Sequence, residues 1–224
     1  VRDMDIEGMT SKACLNMISI RFATPDDAAE LLDIYRPYVT DTAITFEYEV
    51  PSVAEFRERI VNIQKKYPYI VAVQESTSIN GYDANPEHDN KLGRIVGYAY
   101  AGAFNDRAAY DRAVEMTVYV NKDCQKSGIG RKLYDEMERI LKKMNVINVN
   151  ACIGYPTGDD DEHLTRNSAE FHAHMGYSMV GKFHKCGYKL GRWYDMVWME
   201  KMIGDHPDNP KPFISVKNIQ DHLQ

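Results

Sequence analysis

The chain is short of the features that most quickly narrow a function. Only four of its 224 residues are cysteine (Cys14, Cys124, Cys152 and Cys186), and no two of them form a Cys-x-x-Cys pair. That spacing argues against a disulfide framework and for reduced thiols in a cytoplasmic protein. No stretch of the sequence approaches the ~20 apolar residues that cross a bilayer. Acids (Asp3, Asp5, Glu7) stand where a signal peptide would carry positive charge. A soluble intracellular protein with no membrane contact is expected. Basic residues are not in excess either: 27 Lys and Arg face 33 Asp and Glu, a formal net charge of -6. Binding to nucleic acid needs surplus cations against phosphate, so no nucleic-acid partner is expected. Internal repeats and low-complexity tracts are lacking too.

What is present suits one folded domain. Hydrophobic residues make up 44% and charged residues 27% of the chain, a balance that supports a core and argues against wholesale disorder. The expected divisions are an N-terminal arm at 1–16, a domain at 17–203 and a polar, proline-bearing C-terminal extension at 204–224. Ile18, Ile20 and Phe22 alternate as a strand. Thr24-Pro25 caps a helix with Ala28, Leu31, Leu32 and Tyr35 at helical spacing. Ser52 and Glu55 form a capping box before a second helix, with Val53, Phe56, Ile60 and Ile63 on its apolar face. Strands are expected at 70–73, 95–101, 114–120, 149–153, 178–185 and 193–200. Between them lie a polar loop (76–91), a long helix striped by Ile129, Leu133, Met137, Ile140, Leu141 and Met144, an acidic loop (154–166) and a short helix (168–175). The order β-α-α-β-β-β-α-β-α-β-β, with adjacent strands lacking helices between them, predicts an α/β (α+β) fold with a mixed sheet.

The chemistry concentrates where the 114–120 strand runs into the long helix. Gln125-Lys126-Ser127-Gly128-Ile129-Gly130-Arg131 turns the chain into that helix, so free backbone N–H groups and the helix dipole converge on one point. Such a turn suits a pyrophosphate. A Walker loop would need Gly-Lys-Ser/Thr, where this chain has Gly-Arg, and a dinucleotide fingerprint would need a third glycine in a parallel βαβ unit. Within the strand, Glu115, Thr117 and Tyr119 share one face, and Val114, Met116, Val118 and Val120 share the other. Glu115 is a carboxylate in an apolar strand close to the turn, where desolvation would raise its pKa toward that of a useful general base.

The turn resembles the acetyl-CoA pyrophosphate loop of the GNAT acetyltransferase superfamily. Further segments are similar to its phosphinothricin N-acetyltransferase branch: Ile44-Thr45-Phe46-Glu47, Asp106-Arg107-Ala108-Ala109-Tyr110, Val114 to Val120, Phe171-His172-Ala173-His174-Met175-Gly176-Tyr177, Gly187-Tyr188-Lys189 and Gly191-Arg192-Trp193-Tyr194-Asp195. The resemblance implies a mostly antiparallel GNAT-like sheet flanked by helices, acetyl-CoA as co-substrate, no metal, and a homodimer. It implies Glu115 as catalytic base and His172, four residues before Gly176, as a catalytic proton relay. For the cofactor it implies Val118, Tyr119, Val120, Gln125, Lys126, Ser127, Gly128, Ile129, Gly130, Arg131 and Ser168. For the acceptor it implies Phe46, Arg107, Tyr110, Tyr188 and Lys189. The chain departs from the branch at Thr165, where relatives tend to carry an asparagine; here Asn167 is the nearest. The acidic run 158–163 just upstream reads as a solvated loop, its spacing unlike an EF-hand.

The expected activity is transfer of acetyl to the amino group of a small amino-acid-like molecule of the phosphinothricin, methionine sulfoximine or methionine sulfone type. Two alternatives stand beside it. One keeps the fold with another amine acceptor, such as a polyamine, an aminoglycoside or a protein N-terminus. The other is a non-catalytic acyl-CoA-binding sensor.

Overall fold

The computed structural model describes residues 18–75 and 93–219. The expected arm at 1–16, Cys14 and the loop at 76–91 lie outside the described residues. Seven strands form one sheet: β1 (Ile18–Phe22), β2 (Tyr69–Gln74), β3 (Arg94–Ala103), β4 (Ala113–Val120), β5 (Asn148–Tyr155), β6 (Ser178–Lys189) and β7 (Arg192–Met202). Among the described residues four α-helices accompany them: α1 (Ala28–Asp41), α2 (Val53–Gln64), α3 (Ile129–Lys143) and α4 (Asn167–His174). The strand order is β1-β2-β3-β4-β5-β7-β6, with β4 and β5 parallel and every other neighbouring pair antiparallel. Element order and mixed sheet both follow the sequence pattern.

Local signals explain the helix starts. The Thr24 backbone N–H donates to the Asp27 carboxylate at 2.7 Å, and a 3-10 turn at Pro25–Asp27 leads into α1. Ser52 and Glu55 make the reciprocal capping box, with the Glu55 N–H donating to Ser52 Oγ at 3.2 Å. Val53 departs from the expected apolar face: it sits in the first turn of α2 and is exposed, while Phe56 and Ile60 are buried.

The helices divide between the two faces of the sheet. On one face α3 presents Leu133, Met137 and Leu141 to Val96, Ala99, Val114 and Met116, all buried. A fully buried side chain of this size is worth about 1.5–3 kcal/mol relative to exposure, so this stripe is a principal source of stability. On the other face α1 and α2 bring Leu31, Leu32, Tyr35, Phe56 and Ile60 against Tyr69, Val71 and Tyr98. The β6–β7 hairpin is longer than the sequence pattern indicates and is irregular between Phe183 and Gly187. Met179, Val180, Phe183 and Trp193 remain exposed on it. The segment after β7 returns across the molecule. Its Val216 is buried in the α3-side core, the Ile214 N–H donates to the Met144 carbonyl at 3.0 Å, and the Val216 N–H donates to the Lys66 carbonyl at 3.1 Å.

Candidate active site

The site begins with an interruption of the sheet. β4 and β5 pair only at Ala113–Asn148, Val114–Val149 and Glu115–Asn150; beyond that point the strands separate. At the last rung, Asn150 Nδ2 donates to the Val114 carbonyl at 3.1 Å. The cleft that opens is lined by Met116, Thr117, Val118 and Tyr119 of β4, by Ala151, Cys152, Ile153 and Gly154 of β5, and by Ile44, Tyr134, Ser168 and His172. Val118, Tyr119, Ser168 and His172 thus line one cleft.

The turn into α3 lies at the C-terminal end of β4. Gly128 caps α3 at φ 83°, a left-handed conformation that glycine adopts without steric cost. The next three N–H groups have no partner inside the helix by helical geometry, since the first bond runs from the Lys132 N–H to the Gly128 carbonyl at 3.1 Å. Gln125 is committed elsewhere: its Nε2 donates to the Tyr38 hydroxyl at 3.0 Å, and that hydroxyl donates to the Val120 carbonyl at 2.5 Å. Its side chain and the Val120 carbonyl therefore hold the turn against α1. Ser127 Oγ donates to the Cys124 carbonyl at 2.5 Å. Gly130 has a packing reason of its own, because a Cβ there would stand 3.3 Å from the Phe171 ring. Lys126, at φ 58°, and Arg131 flank the same turn.

On the α3 side of the cleft, His172 is buried. Its Nδ1 lies 2.6 Å from the Ser168 carbonyl, which can only accept, so Nδ1 carries the proton. In the neutral ring Nε2 is then an acceptor, and it receives the Tyr134 hydroxyl at 2.6 Å. Burial pushes the imidazole below its ordinary pKa, against a smaller upward effect of the Ser168 carbonyl. The Tyr134 hydroxyl is held well above the ordinary phenol value by burial. Tyr134 is the residue that sequence reasoning missed. It sits one position past the Leu133 stripe and reads as core, and its partner is 38 positions away.

Glu115 stands on the opposite face. It is half-buried, and burial alone raises its carboxyl above the usual range. Around it, Cys152 is pushed up to about 12, by burial first and then by Glu115 and Cys186. Tyr100 is raised to about 12, again chiefly by burial. Tyr35 and Thr45 share a hydrogen bond of 2.8 Å nearby.

The residues expected at the acceptor separate into two groups. Phe46 rests on Gly187, and the buried Lys189 donates from Nζ to the Thr45 carbonyl at 2.7 Å, so Lys189 braces the 44–46 segment. Burial lowers its pKa, opposed by Glu47. Tyr188 is exposed, with its ring 5.1 Å from Trp193. None of these lines the cleft. Arg107 is exposed in the turn between β3 and β4. Tyr110 lines a second hollow of about 380 Å³ with Phe104, Ala113, Asn148, Asn150, Glu200 and His206 among others. Glu115 is the register partner of Asn150 and follows Ala113 by two, so it lies on this face between the hollow and the cleft. The acidic loop is tied down by arginines: Asp160 pairs with Arg166 at 2.6 Å, and Arg192 reaches Asp161 at 3.1 Å and Glu162 at 2.9 Å. Thr165 Oγ1 accepts from the Asn167 N–H at 3.4 Å at the start of α4.

A splayed sheet with a glycine-capped helix at its opening defines a class, and the comparisons name it. The model of the acetyltransferase (GNAT) domain matches residues 20–91 and 87–198, and the chain belongs to that family. Within it, the chain is 30% identical over 202 residues to a phosphinothricin N-acetyltransferase of Streptomyces viridochromogenes, covering 90% of this chain and 96% of that one. A Salmonella typhimurium L-methionine sulfoximine/L-methionine sulfone acetyltransferase is 27% identical over 84% of this chain and 96% of its own length. The solved phosphinothricin acetyltransferase of Sinorhizobium meliloti, in complex with AcCoA, superposes with a TM-score of 0.72 at 28% identity, covering 87% of this chain and 94% of that one.

Proposed function

We propose that this chain transfers acetyl from acetyl-CoA directly to the α-amino group of an amino-acid-like acceptor, with Glu115 as general base. The observation that carries the reading is Glu115 itself: a half-buried carboxylate with its pKa raised, on β4 between Ala113, which lines the hollow, and Thr117, which lines the cleft. The residues present fit acetyl-CoA. The open N–H groups at the start of α3, with Lys126 and Arg131, suit its pyrophosphate. The gap between β4 and β5 suits the thioester arm. The sulfoximine, sulfone and phosphinothricin acetyltransferases among the relatives favour an acceptor of the same kind.

In this mechanism Glu115 takes a proton from the acceptor ammonium, and the freed amine attacks the thioester carbonyl carbon. The C–N bond forms, the nitrogen gives up its second proton to solvent, and the C–S bond breaks, with sulfur leaving as a thiolate. Tyr134, whose hydroxyl donates to His172 Nε2, lines the same cleft and would supply the proton that this thiolate takes up. His172 therefore acts through Tyr134, because its own Nε2 has no proton to give in this geometry. Two further parts belong to the same reading: a homodimer, supported by the apolar side chains left exposed on edge strand β6, and a cytoplasmic setting.

The test is thiol release from acetyl-CoA with phosphinothricin, methionine sulfoximine, methionine sulfone, spermidine and a peptide N-terminus. Turnover on the first three, abolished in Glu115→Gln, is the expected result. Turnover on spermidine or peptide alone would replace the acceptor class. Binding of acetyl-CoA without any turnover would favour a sensor.

A further inference from the structure

The second hollow has a chemical character of its own. A row of register partners crosses the sheet there: Gly102 on β3, Glu115 on β4, Asn150 on β5 and Glu200 on β7. Register partners share a face, and Glu115 and Glu200 lie two strands apart, about 10 Å between backbones. Glu200 lines the hollow, and among the described residues no ion pair or hydrogen bond engages its carboxylate. Its neighbour Lys201 points to the other face, where it meets Glu138 at 2.6 Å.

Among the described residues the basic side chains around the hollow are few and partly engaged. Arg112 is the one Arg or Lys in the lining, and its Nε and Nη2 donate to the carbonyls of Lys211 at 2.9 Å and Pro210 at 3.3 Å. His206 Nε2 lies 2.9 Å from Asn148 Oδ1. Arg107 is outside the lining. Phe104 and Tyr110 supply an aromatic wall, their ring centroids 6.0 Å apart. The hollow is therefore aromatic on one side and carries a free carboxylate opposite the base.

Building on the acetyl-transfer reading, we infer that this hollow receives the acceptor's side chain and that Glu200 selects an end bearing a hydrogen-bond donor, neutral or cationic, over an anionic one. An acceptor whose amine meets Glu115 then extends along the row toward Glu200. A sulfoximine N–H, an amide or an ammonium finds an acceptor there, whereas a phosphinate meets a like charge. Glu200 touches the substrate's side chain and no reacting atom, so it governs specificity.

The experiment compares kcat/KM for methionine sulfoximine, ornithine and phosphinothricin at saturating acetyl-CoA, in the natural chain and in Glu200→Gln. The expected result is a preference of the natural chain for the first two over phosphinothricin by about tenfold or more, the factor that corresponds to 1.4 kcal/mol. Glu200→Gln should narrow that ratio by a similar factor through KM. Phosphinothricin used as well as the other two by the natural chain would overturn the inference without any variant. A ratio unmoved in a folded Glu200→Gln protein would overturn it as well. Both outcomes leave acetyl transfer standing. No turnover of any amino acid by the natural chain would instead overturn the acetyl-transfer reading, and this inference with it.

Discussion

Two hollows flank Glu115, and they are built to opposite specifications. Among the described residues, the cleft between β4 and β5 is lined by aliphatic, aromatic and hydroxyl-bearing side chains and by no lysine, arginine, aspartate or glutamate. Its buried polar pair, Tyr134 and His172, is satisfied internally. The hollow beyond Asn150 carries Arg112, Glu200 and His206. A neutral, internally satisfied cleft suits one invariant ligand arm, while a charged hollow suits discrimination among acceptors. Glu115 stands on β4 between the two linings.

The comparison breaks most severely at Glu115, which stands on β4 between Ala113 of one lining and Thr117 of the other. Glu115→Gln should lower kcat/KM by about 10²–10⁴-fold, the usual worth of a general base. The natural enzyme should show an acid limb above the ordinary glutamate value of ~4.3, with activity rising as Glu115 deprotonates, and the variant should lose that limb. Because burial raises this pKa in the folded state, the stability contributed by Glu115 is present at low pH and lost as pH rises through the raised value. Glu115→Gln should therefore melt higher than the natural chain at alkaline pH and lose that advantage in acid.

Tyr134→Phe should act on the cleft alone. Removing the hydroxyl leaves the buried His172 Nε2 without its donor, a cost of about 1–3 kcal/mol. The expected kinetic signature is a fall in kcat for every acceptor alike, with the ratios between acceptors unchanged. A change in those ratios would show that the hollows are not independent.

Gly128→Ala tests the far end of the cleft. Forcing a Cβ into the left-handed conformation at φ 83° costs about 1–2 kcal/mol. Acetyl-CoA KM should rise while acceptor KM holds. The smallest effect is expected at Ser52→Ala, which removes the cap of α2 at about 1 kcal/mol. Thermal unfolding should register the loss, and steady-state kinetics with either substrate should not.

Sequence reading reached the elements and the placing of Glu115 on the strand face away from α3 because both leave local traces. Alternation along Val114–Val120 separates Glu115, Thr117 and Tyr119 from the core face, and the helix stripe from Ile129 to Met144 repeats at helical spacing. The splay leaves no such trace. Nothing in Asn150 alone announces that β5 parts from β4 there, since that depends on how residues 35 positions apart are registered. Tyr134 was hidden for a related reason, its role being fixed by a histidine on another helix. Resemblance led to Lys189 as an acceptor residue, whereas its ammonium is bonded to the Thr45 carbonyl. The two glycines of the turn read alike in sequence, yet one sets the backbone and the other makes room for Phe171.

The segment that returns across the molecule after β7 has a consequence for biosynthesis. Val216 fills a place in the core beside Tyr67 and Met144, residues translated long before it. Ribosomes deliver chains from the N-terminus at about 5–20 residues per second, so a nascent chain that has emerged from the exit tunnel only to about residue 210 would hold the strands from β1 to β7 with that part of the core still open. Chaperone demand should be greatest in that interval. Nascent chains stalled just before and just after residue 216 has left the exit tunnel should differ sharply in protease resistance.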